Sequence, residues 1–275
     1  MLPYVKKYVI VACVIAVVIP LVVSTAWPLF TGQIMAASVG GLILLLALFF
    51  GGFLVSVRVM GRKADELVDG YIALYDEKCD PQAFVDASRD IASSVVVPFT
   101  PSGAWFIGYY AQAMLDLGFV EKAEKLRDAM LDTIAKSKKA SDQISMIVDL
   151  VSLMTKLEGP EETLPVVEKG IELIGAPAEL DAAVQKDYLT SQAQILRARM
   201  NGELDKLATL YADVVSRELV PMRIRVECAW EEARIHFNAG DAARERDSLE
   251  FVVGHGNKLA LVAPARARLE VLANR

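Results

Sequence analysis

The pattern of apolar and charged positions divides the chain into two unequal parts. Residues 8–57 form a run of fifty without a single Asp, Glu, Lys, Arg or His. Pro28 and Gly32 interrupt this run near its middle, because both residue types favour turns. The flanking segments, about 8–27 and 34–57, are long enough as helices to cross a hydrocarbon core about 30 Å thick. The pattern therefore predicts a transmembrane hairpin of two helices.

The cations that flank this run indicate on which side of a membrane its ends lie. Lys6 and Lys7 precede the first segment, and Arg58, Arg62 and Lys63 follow the second. The connector between the segments carries no charge. By the positive-inside rule, both ends of the hairpin lie in the cytoplasm. We therefore predict an integral protein of a bacterial-type cytoplasmic (inner) membrane, with both termini and the rest of the chain in the cytoplasm.

The composition of the two segments indicates an anchor. Small residues four apart, such as Ala36 with Gly40 and Ala47 with Gly51, allow close packing of helices within the hairpin, or between two copies of it. Neither segment contains an ionisable residue, which a transport pathway through a membrane usually needs. The lipid bilayer is thus a predicted partner of this part of the chain.

Two other interpretations of the first segment are open. Ser24-Thr25-Ala26 resembles the cleavage site of a secretory signal peptide, but the apolar stretch is longer than a usual signal core and a second one follows it. Cys13 after Ile10-Val11-Ala12 resembles a lipoprotein acceptor. Only five residues separate Cys13 from Lys7, too few for the apolar core of a signal. We predict that Cys13 is an apolar residue in lipid.

Beyond residue 60 the apolar positions recur at helical spacing almost throughout. One apolar face predicts a helix over 64–77. Asp80 as N-cap and Pro81 as the first helical residue predict a second helix over 82–92. Residues 93–103 contain two prolines and are interpreted as an extended connector, or as one short strand without a visible partner.

A corner built on glycine recurs in the rest of the chain. The four glycines are Gly118, Gly159, Gly202 and Gly240, which are 41, 43 and 38 residues apart. Glycine accepts the left-handed conformation that ends a helix, and the acidic residues after it favour the N-terminus of the next helix. The repeated unit is a pair of helices, and several pairs must stack because one pair cannot bury its own apolar face. The predicted pairs are 104–117 with 120–136, 141–157 with 161–174, 178–200 with 203–216, and 221–238 with 241–254, followed by a capping helix over 257–273.

Charge and cysteine content narrow the classes of partner. The chain has a net charge of −6, and residues 1–63 contain five cations and no acid, so the remaining residues carry −11. The basic surface that binds phosphate backbones is missing, which argues against nucleic acid as a partner. The three cysteines are far apart, and they predict neither a disulfide framework nor a zinc site.

The helix pairs resemble the tetratricopeptide repeat, in which two small residues and a turn glycine let paired helices pack closely. This skeleton is present as Ala111, Gly118 and Ala123, and in part as Ala233, Gly240 and Asp241. The resemblance covers about 104–255. The chain departs from the pattern at Ile195 and Glu245, where small residues are expected, and in its longer units, so another helical-hairpin solenoid stays open. The resemblance implies a scaffold that binds proteins and has no catalytic machinery.

The resemblance also implies which residues would bind a partner, because the first helix of each tetratricopeptide pair lines a concave groove. At the register of the glycine corners these residues are Trp105, Gln112 and Asp116 in the first pair, Asp149 and Lys156 in the second, Gln192 and Arg199 in the third, and Trp230, Arg234 and Asn238 in the fourth. This mixture of aromatic and ionic side chains suits an extended peptide or a partner helix. Alternatively, both tryptophans pack between neighbouring pairs.

Motifs for catalysis are missing from the sequence, which contains no P-loop, GxGxxG, HExxH or GxSxG. His236 and His255 are the only histidines, and neither has a second histidine or cysteine at ligand spacing. The acid-rich segments 158–162 and 227–232 are interpreted as solvated helix starts and faces, or as a weak site for a divalent ion. We predict no catalytic residue, no cofactor and no metal.

These patterns predict an all-α protein. Residues 1–60 form the transmembrane hairpin, 61–103 a helical linker pair and connector, and 104–275 an α-solenoid similar to tetratricopeptide repeats. The predicted function is a membrane-anchored cytoplasmic scaffold that binds a protein or peptide partner. An alternative is a non-catalytic regulatory or sensor subunit of a membrane complex, which binds a small ligand in the helical groove. An enzyme is a third class.

Overall fold

A computed structural model gives the architecture of the chain. It describes residues 39–95, 101–176 and 180–274, together with seven positions between residues 10 and 25. Side chains are described for 66–92, 106–176 and 180–274, and for several positions between 43 and 63. The chain divides into two compact units, Met1–Gly70 and Tyr71–Arg275.

Every regular element in the described part of the chain is an α-helix, which confirms the predicted all-α class. Eleven helices have both ends among the described residues: α1 (Val39–Asp76), α2 (Pro81–Val95), α3 (Pro101–Asp116), α4 (Val120–Lys136), α5 (Ala140–Leu157), α6 (Pro160–Ile174), α7 (Leu180–Asn201), α8 (Leu204–Ser216), α9 (Met222–Ala239), α10 (Ala242–His255) and α11 (Val262–Ala273).

The first unit holds the residues of the predicted hairpin. Among the described residues, none of the helices combines the length and the apolar character that crossing a membrane requires. The predicted segment 8–27, with Cys13 and Ser24, lies mostly outside the described residues, as does the connector. The predicted start of a new helix at residue 64 is wrong, because α1 is continuous through this position. Gly61 is not a stop, since one glycine inside a helix costs only about 1 kcal/mol.

The helices of the second unit begin and end within a few residues of the predicted positions. The connector predicted over 93–103 is shorter, because α2 continues to Val95 and α3 begins at Pro101, a residue suited to the first helical turn. Residues 96–100 lie outside the described part. The last helix begins at Val262 rather than at 257, since Asn257 has a positive φ of 45° and breaks the helical path.

The four corner glycines have the positive φ that the sequence predicted, but Gly159, with ψ of −176°, lies outside the left-handed helical region. Gly118, Gly159, Gly202 and Gly240 have φ values of 82°, 91°, 66° and 73°. At three corners the residue after the glycine donates a backbone hydrogen bond of 2.9–3.0 Å to the carbonyl five residues earlier, from Phe119 to Met114, Glu203 to Ala198 and Asp241 to His236. Each bond satisfies a carbonyl that the end of a helix leaves without a partner. The four predicted glycine corners are therefore turns between helices in the structure.

Consecutive helices from α2 to α11 pack against each other, and α3 with α5 and α5 with α7 are also in contact. The first helices of the first three pairs thus form a continuous wall. The core of the second unit contains the largest fully buried side chains: Tyr75, Phe84, Ile107, Met130, Met146, Ile147, Leu150, Leu153, Leu189, Leu196 and Leu249. The spacing of these apolar residues along the sequence is the pattern that predicted the helices.

The end of the second unit returns to its beginning. The Asn257 side chain donates a 2.7 Å hydrogen bond to the Lys78 carbonyl, and the backbone N–H of Lys258 donates one of 3.1 Å to the Cys79 carbonyl. The Lys258 ammonium also lies 2.6 Å from the Asp80 carboxylate. The turn between α10 and α11 is therefore fastened to the turn between α1 and α2, about 180 residues away by numbering.

Candidate functional site

A cavity of about 660 Å³ lies within the second unit. Its walls are formed by α3, α5, α7 and α9, which are the first helices of the four pairs, with Tyr211 of α8 and Ala260 and Leu261 from the turn before α11. The second helices of the pairs otherwise lie away from it. The first helix of each predicted pair thus faces the cavity.

The structure brings together most of the residues predicted to line a groove. Eight of the ten line the cavity: Gln112, Asp116, Asp149, Lys156, Gln192, Arg199, Trp230 and Arg234. The Trp105 side chain lies outside the described part, and Asn238 is exposed near the end of α9 without lining the cavity. Pairs such as Asp149 and Lys156 share a face because they are seven residues, or nearly two helical turns, apart. Their role in binding a partner stays a prediction.

Close contact between α3 and α5 shapes one wall of the cavity. A Cβ atom at Gly108 would lie 3.0 Å from the Asp149 Cβ and 3.1 Å from the Asp149 carbonyl oxygen, so only glycine fits without a shift. Two turns further along, the Lys156 ammonium lies 3.3 Å from the Asp116 carboxylate. The two contacts occur in the same order along both helices, so α3 and α5 run parallel and present Asp149 and Lys156 to the cavity.

An ionic network crosses the cavity from α5 to α9. The Lys156 ammonium lies 2.8 Å from the Glu227 carboxylate, which also lies 3.1 Å from the Arg223 guanidinium. Burial alone would lower the pKa of Lys156, but the carboxylates of Glu227 and Asp116 outweigh burial and raise it. Burial would likewise raise the pKa of Glu227, whereas Lys156 and Arg223 hold it below its ordinary value. Lys156, Glu227 and Arg223 are therefore charged at neutral pH.

Arg223 is the most buried member of this network, with 3% of its side chain exposed. Its guanidinium donates hydrogen bonds of 2.8 Å to Asp76 and 3.0 Å to the Gln112 side-chain oxygen. It also lies 4.5 Å from the centre of the Tyr75 ring, at cation–π distance. Within the second unit, Arg223 therefore joins α9 to the last residues of α1 and to α3.

A second ionic cluster lies where α7 and α9 face each other. Arg199 donates a 2.7 Å hydrogen bond to the Tyr211 hydroxyl, and it lies 3.5 Å from the Glu231 carboxylate. Arg234 lies 3.1 Å from the same carboxylate, with 62% of its side chain exposed. Two cations therefore share one carboxylate at this end of the cavity.

Four polar side chains of the cavity have no hydrogen bond or ion pair to any other described residue: Asp149, Ser152, Tyr188 and Gln192. None of their polar atoms is fully enclosed, because the described part contains no fully buried side-chain polar atom without a partner. They therefore face open space. Burial raises the pKa of the Asp149 carboxyl to about 7 and the pKa of the Tyr188 hydroxyl to about 12.

The sequence missed several residues of this site. Tyr188, Arg223, Glu227 and Glu231 line the cavity but were not among the predicted groove residues. Each lies three, four or seven residues from a predicted one on the same helix, so extending the register to neighbouring turns would have found them. Tyr110, an aromatic residue beside the groove positions, instead packs with its ring 6.3 Å from the ring of Phe84.

The chemistry of the cavity suits binding. Burial raises the pKa of the Cys228 thiol to about 12, so this cavity residue is a neutral thiol at physiological pH and a poor nucleophile. His236 is buried, 3.5 Å from Glu232, and the His255 ring packs 4.5 Å from the ring of Phe251. Within the described residues, His, Cys, Asp and Glu side chains form no group that could hold a metal ion.

Comparison with known proteins gives no family for the chain. No protein-family model matches it, and neither a curated protein nor a solved structure shows significant similarity. The resemblance to tetratricopeptide repeats stays a prediction. The site is therefore interpreted from its own geometry.

Proposed function

We propose that the chain is a membrane-anchored cytoplasmic scaffold, in which stacked helix pairs form an α-solenoid that holds a peptide segment of a protein partner. One observation carries the proposal: equivalent helices of four successive pairs, α3, α5, α7 and α9, line a single cavity. A wall made of repeated helices presents side chains at regular intervals, which matches the regular side-chain spacing of a peptide.

The lining of the cavity supports a peptide as the occupant. Trp230 and Tyr188 offer aromatic surfaces, while Gln192 and Ser152 can donate and accept hydrogen bonds. Peptides present apolar side chains together with backbone N–H and C=O groups, so a site for them needs both kinds of surface. The charges of both signs in the lining would select among partners.

The anchor is proposed from the first unit. Residues 8–57 carry no ionisable side chain, and cations flank them on both sides. The described side chains of Ile43, Phe50 and Leu54 are exposed, with 61%, 58% and 66% of their surface accessible. Large exposed apolar side chains in one segment favour an apolar environment such as lipid. We expect the chain to stay in the membrane pellet after alkaline extraction, and recovery in the supernatant would contradict the anchor.

Site-specific photo-crosslinking in intact cells tests the groove. A photoreactive residue at Gln192, inside the cavity, is compared with one at Gln194, which is exposed on the same helix and lies outside it. We expect position 192 alone to give a defined protein adduct, mapped to one segment of the partner by mass spectrometry. A synthetic peptide of that segment should then bind the purified full chain, and Arg199→Glu with Arg234→Glu should abolish its binding. Identical adducts from both positions would contradict the proposal.

A second candidate is a sensor of a small ligand. It is favoured by the volume of the cavity, about 660 Å³. Pockets for small molecules have volumes of about 300–1,000 Å³. Native mass spectrometry of the chain purified in mild detergent distinguishes the two candidates. A small molecule that stays bound to the unmodified chain, and is lost when Gln192→Trp fills the cavity, supports sensing.

A further inference from the structure

The cavity contains paired and unpaired polar groups, and four of the unpaired ones lie on α5 and α7, here called the unpaired wall. Asp149 and Ser152 are three residues apart on α5, and Tyr188 and Gln192 are four residues apart on α7, so each pair shares a helix face. None of the four has a hydrogen-bond or ion-pair partner within the part of the chain that the structure describes. In contrast, Lys156, Arg223, Glu227, Arg199 and Glu231 are all engaged in ion pairs.

Asp149 is the only acidic member of the unpaired wall. Tyr109 on α3 and Tyr188 on α7 line the same cavity. Tyr109 follows Gly108, where an added Cβ would lie 3.0 Å from the Asp149 Cβ. A carboxylate gains most from a positively charged partner when both are withdrawn from water. Aromatic rings beside it add cation–π attraction. This combination favours a compact organic cation over a neutral or anionic group.

We propose that Asp149, flanked by Tyr109 and Tyr188, binds a primary ammonium group of the ligand. The inference rests on the proposed function in that the ammonium is supplied by a peptide, either at its N-terminus or on a lysine side chain. Ser152 and Gln192 lie within one turn of Asp149 and Tyr188 on their helices, and their oxygens can accept the remaining ammonium hydrogens.

The charged side chains at the opposite end of the cavity indicate how such a ligand would be oriented. Arg199 lies seven residues beyond Gln192 on α7, about 10 Å along the helix axis. There the guanidinium groups of Arg199 and Arg234 share the carboxylate of Glu231, and both can donate further hydrogen bonds. A peptide whose ammonium lies at Asp149 would present its carbonyl oxygens or a carboxylate to this end.

Four small probes and one uncharged counterpart test the proposal by saturation-transfer NMR on the full chain in detergent, near pH 7.5, where primary amines are largely protonated. The first is n-pentylammonium, with n-pentanol as its uncharged counterpart. The second is tetra-alanine amide with a free N-terminus, and the third is an acetylated tetrapeptide amide with one lysine. The fourth is acetylated tetra-alanine amide, which has no ammonium. The second and third probes distinguish an N-terminal from a side-chain ammonium.

Asp149→Asn removes the charge and keeps the shape, whereas Asp187→Asn is the matched control, since Asp187 is exposed beside Tyr188 and does not line the cavity. We expect n-pentylammonium and at least one ammonium-bearing peptide to bind the unmodified chain and the Asp187→Asn variant. We expect their affinity for Asp149→Asn to fall about tenfold or more, as for loss of a hydrogen bond to a charged group. Tyr188→Leu should weaken the same probes, and pentanol should be insensitive to every variant.

The outcomes separate this inference from the proposed function. Equal binding of all peptides, with no effect of Asp149→Asn, overturns the ammonium site and leaves a peptide groove in place. Binding of n-pentylammonium that depends on Asp149, without binding of any peptide, supports the ammonium site and counts against a peptide as its source. Binding of none of the probes at about millimolar concentration, the weak end of specific affinity, overturns both.

Discussion

Arg223 donates a 2.8 Å hydrogen bond to Asp76, although 147 residues separate them along the chain. Both side chains are almost entirely buried, with 3% and 6% exposed. The pair joins the fourth helix pair to the first residues of the second unit. Arg223 also lines the cavity, so the pair holds part of its wall in place. The hydrogen bond of Asn257 to Lys78 is a second contact between the end of the second unit and its beginning.

Arg223→Ala should destabilise the second unit by about 3–5 kcal/mol, because it leaves the buried carboxylate of Asp76 without its cationic partner and removes one of the two cations paired with Glu227. Urea unfolding of the full chain, followed by tryptophan fluorescence, measures the loss. The matched control is Arg197→Ala, which breaks an ion pair with Glu168 whose side chains are 54% and 47% exposed. That change should cost less than about 1 kcal/mol. Equal effects of the two substitutions would show that the buried pair adds no stability.

Gly108→Ala should destabilise the protein by about 1–3 kcal/mol, since the added Cβ would lie 3.0 Å from the Asp149 Cβ and would force α3 and α5 apart. Gly254→Ala is the control, because Gly254 is also helical but has no atom within 4 Å of the added Cβ. It should be neutral or stabilise by up to about 1 kcal/mol, from helix propensity. Calorimetry of both variants checks the opposite signs, and stabilisation by Gly108→Ala would contradict the close helix contact.

Asp149 should make stability depend on pH in the direction opposite to that of a paired carboxylate. Burial raises its pKa from 3.8 to about 7 in the folded chain. Between these values the unfolded chain has ionised Asp149 and the folded chain has not, so the free energy of unfolding falls as pH rises. This decrease in the free energy of unfolding is complete above about pH 7 and amounts to at most about 4 kcal/mol.

The substitution Asp149→Asn should remove this cost, so its stability advantage over the unmodified chain should be absent near pH 3.5 and grow up to pH 8. The neighbouring Tyr109 and Tyr188 have raised pKa values, since burial disfavours their charged forms, and do not titrate in this range. Asp187→Asn should show no such growth. Urea unfolding at several pH values measures the difference, and a constant difference across the range would show that Asp149 titrates as in water.

Gly240→Ala should destabilise the protein by about 1–2 kcal/mol through backbone conformation alone, because φ is 73° and no atom lies within 4 Å of an added Cβ. Gly240→Asn should cost less, since asparagine tolerates the left-handed region better than alanine does. Thermal unfolding of the two variants gives the comparison. Equal losses would indicate that the corner does not require a left-handed residue.

The sequence predicted the helices and the turns between them with good accuracy, because both depend on local physics. Apolar residues at helical spacing mark the buried face of each helix, and glycine alone accepts the corner conformation easily. The same spacing placed residues such as Gln112 and Lys156 on the faces that line the cavity. It failed at residue 64, where one glycine was taken as a helix boundary inside α1.

The sequence by itself thus determined an all-α chain of helix pairs, their corners and the side chains that share a face of each first helix. Only the tertiary structure decided that Arg223 reaches Asp76, that Asn257 reaches Lys78, and that Asp149 faces the cavity without a partner. Local periodicity specifies how neighbouring residues are arranged on a helix. The way a stack of pairs returns to its beginning depends on the summed packing angles of many helices, which no local pattern encodes.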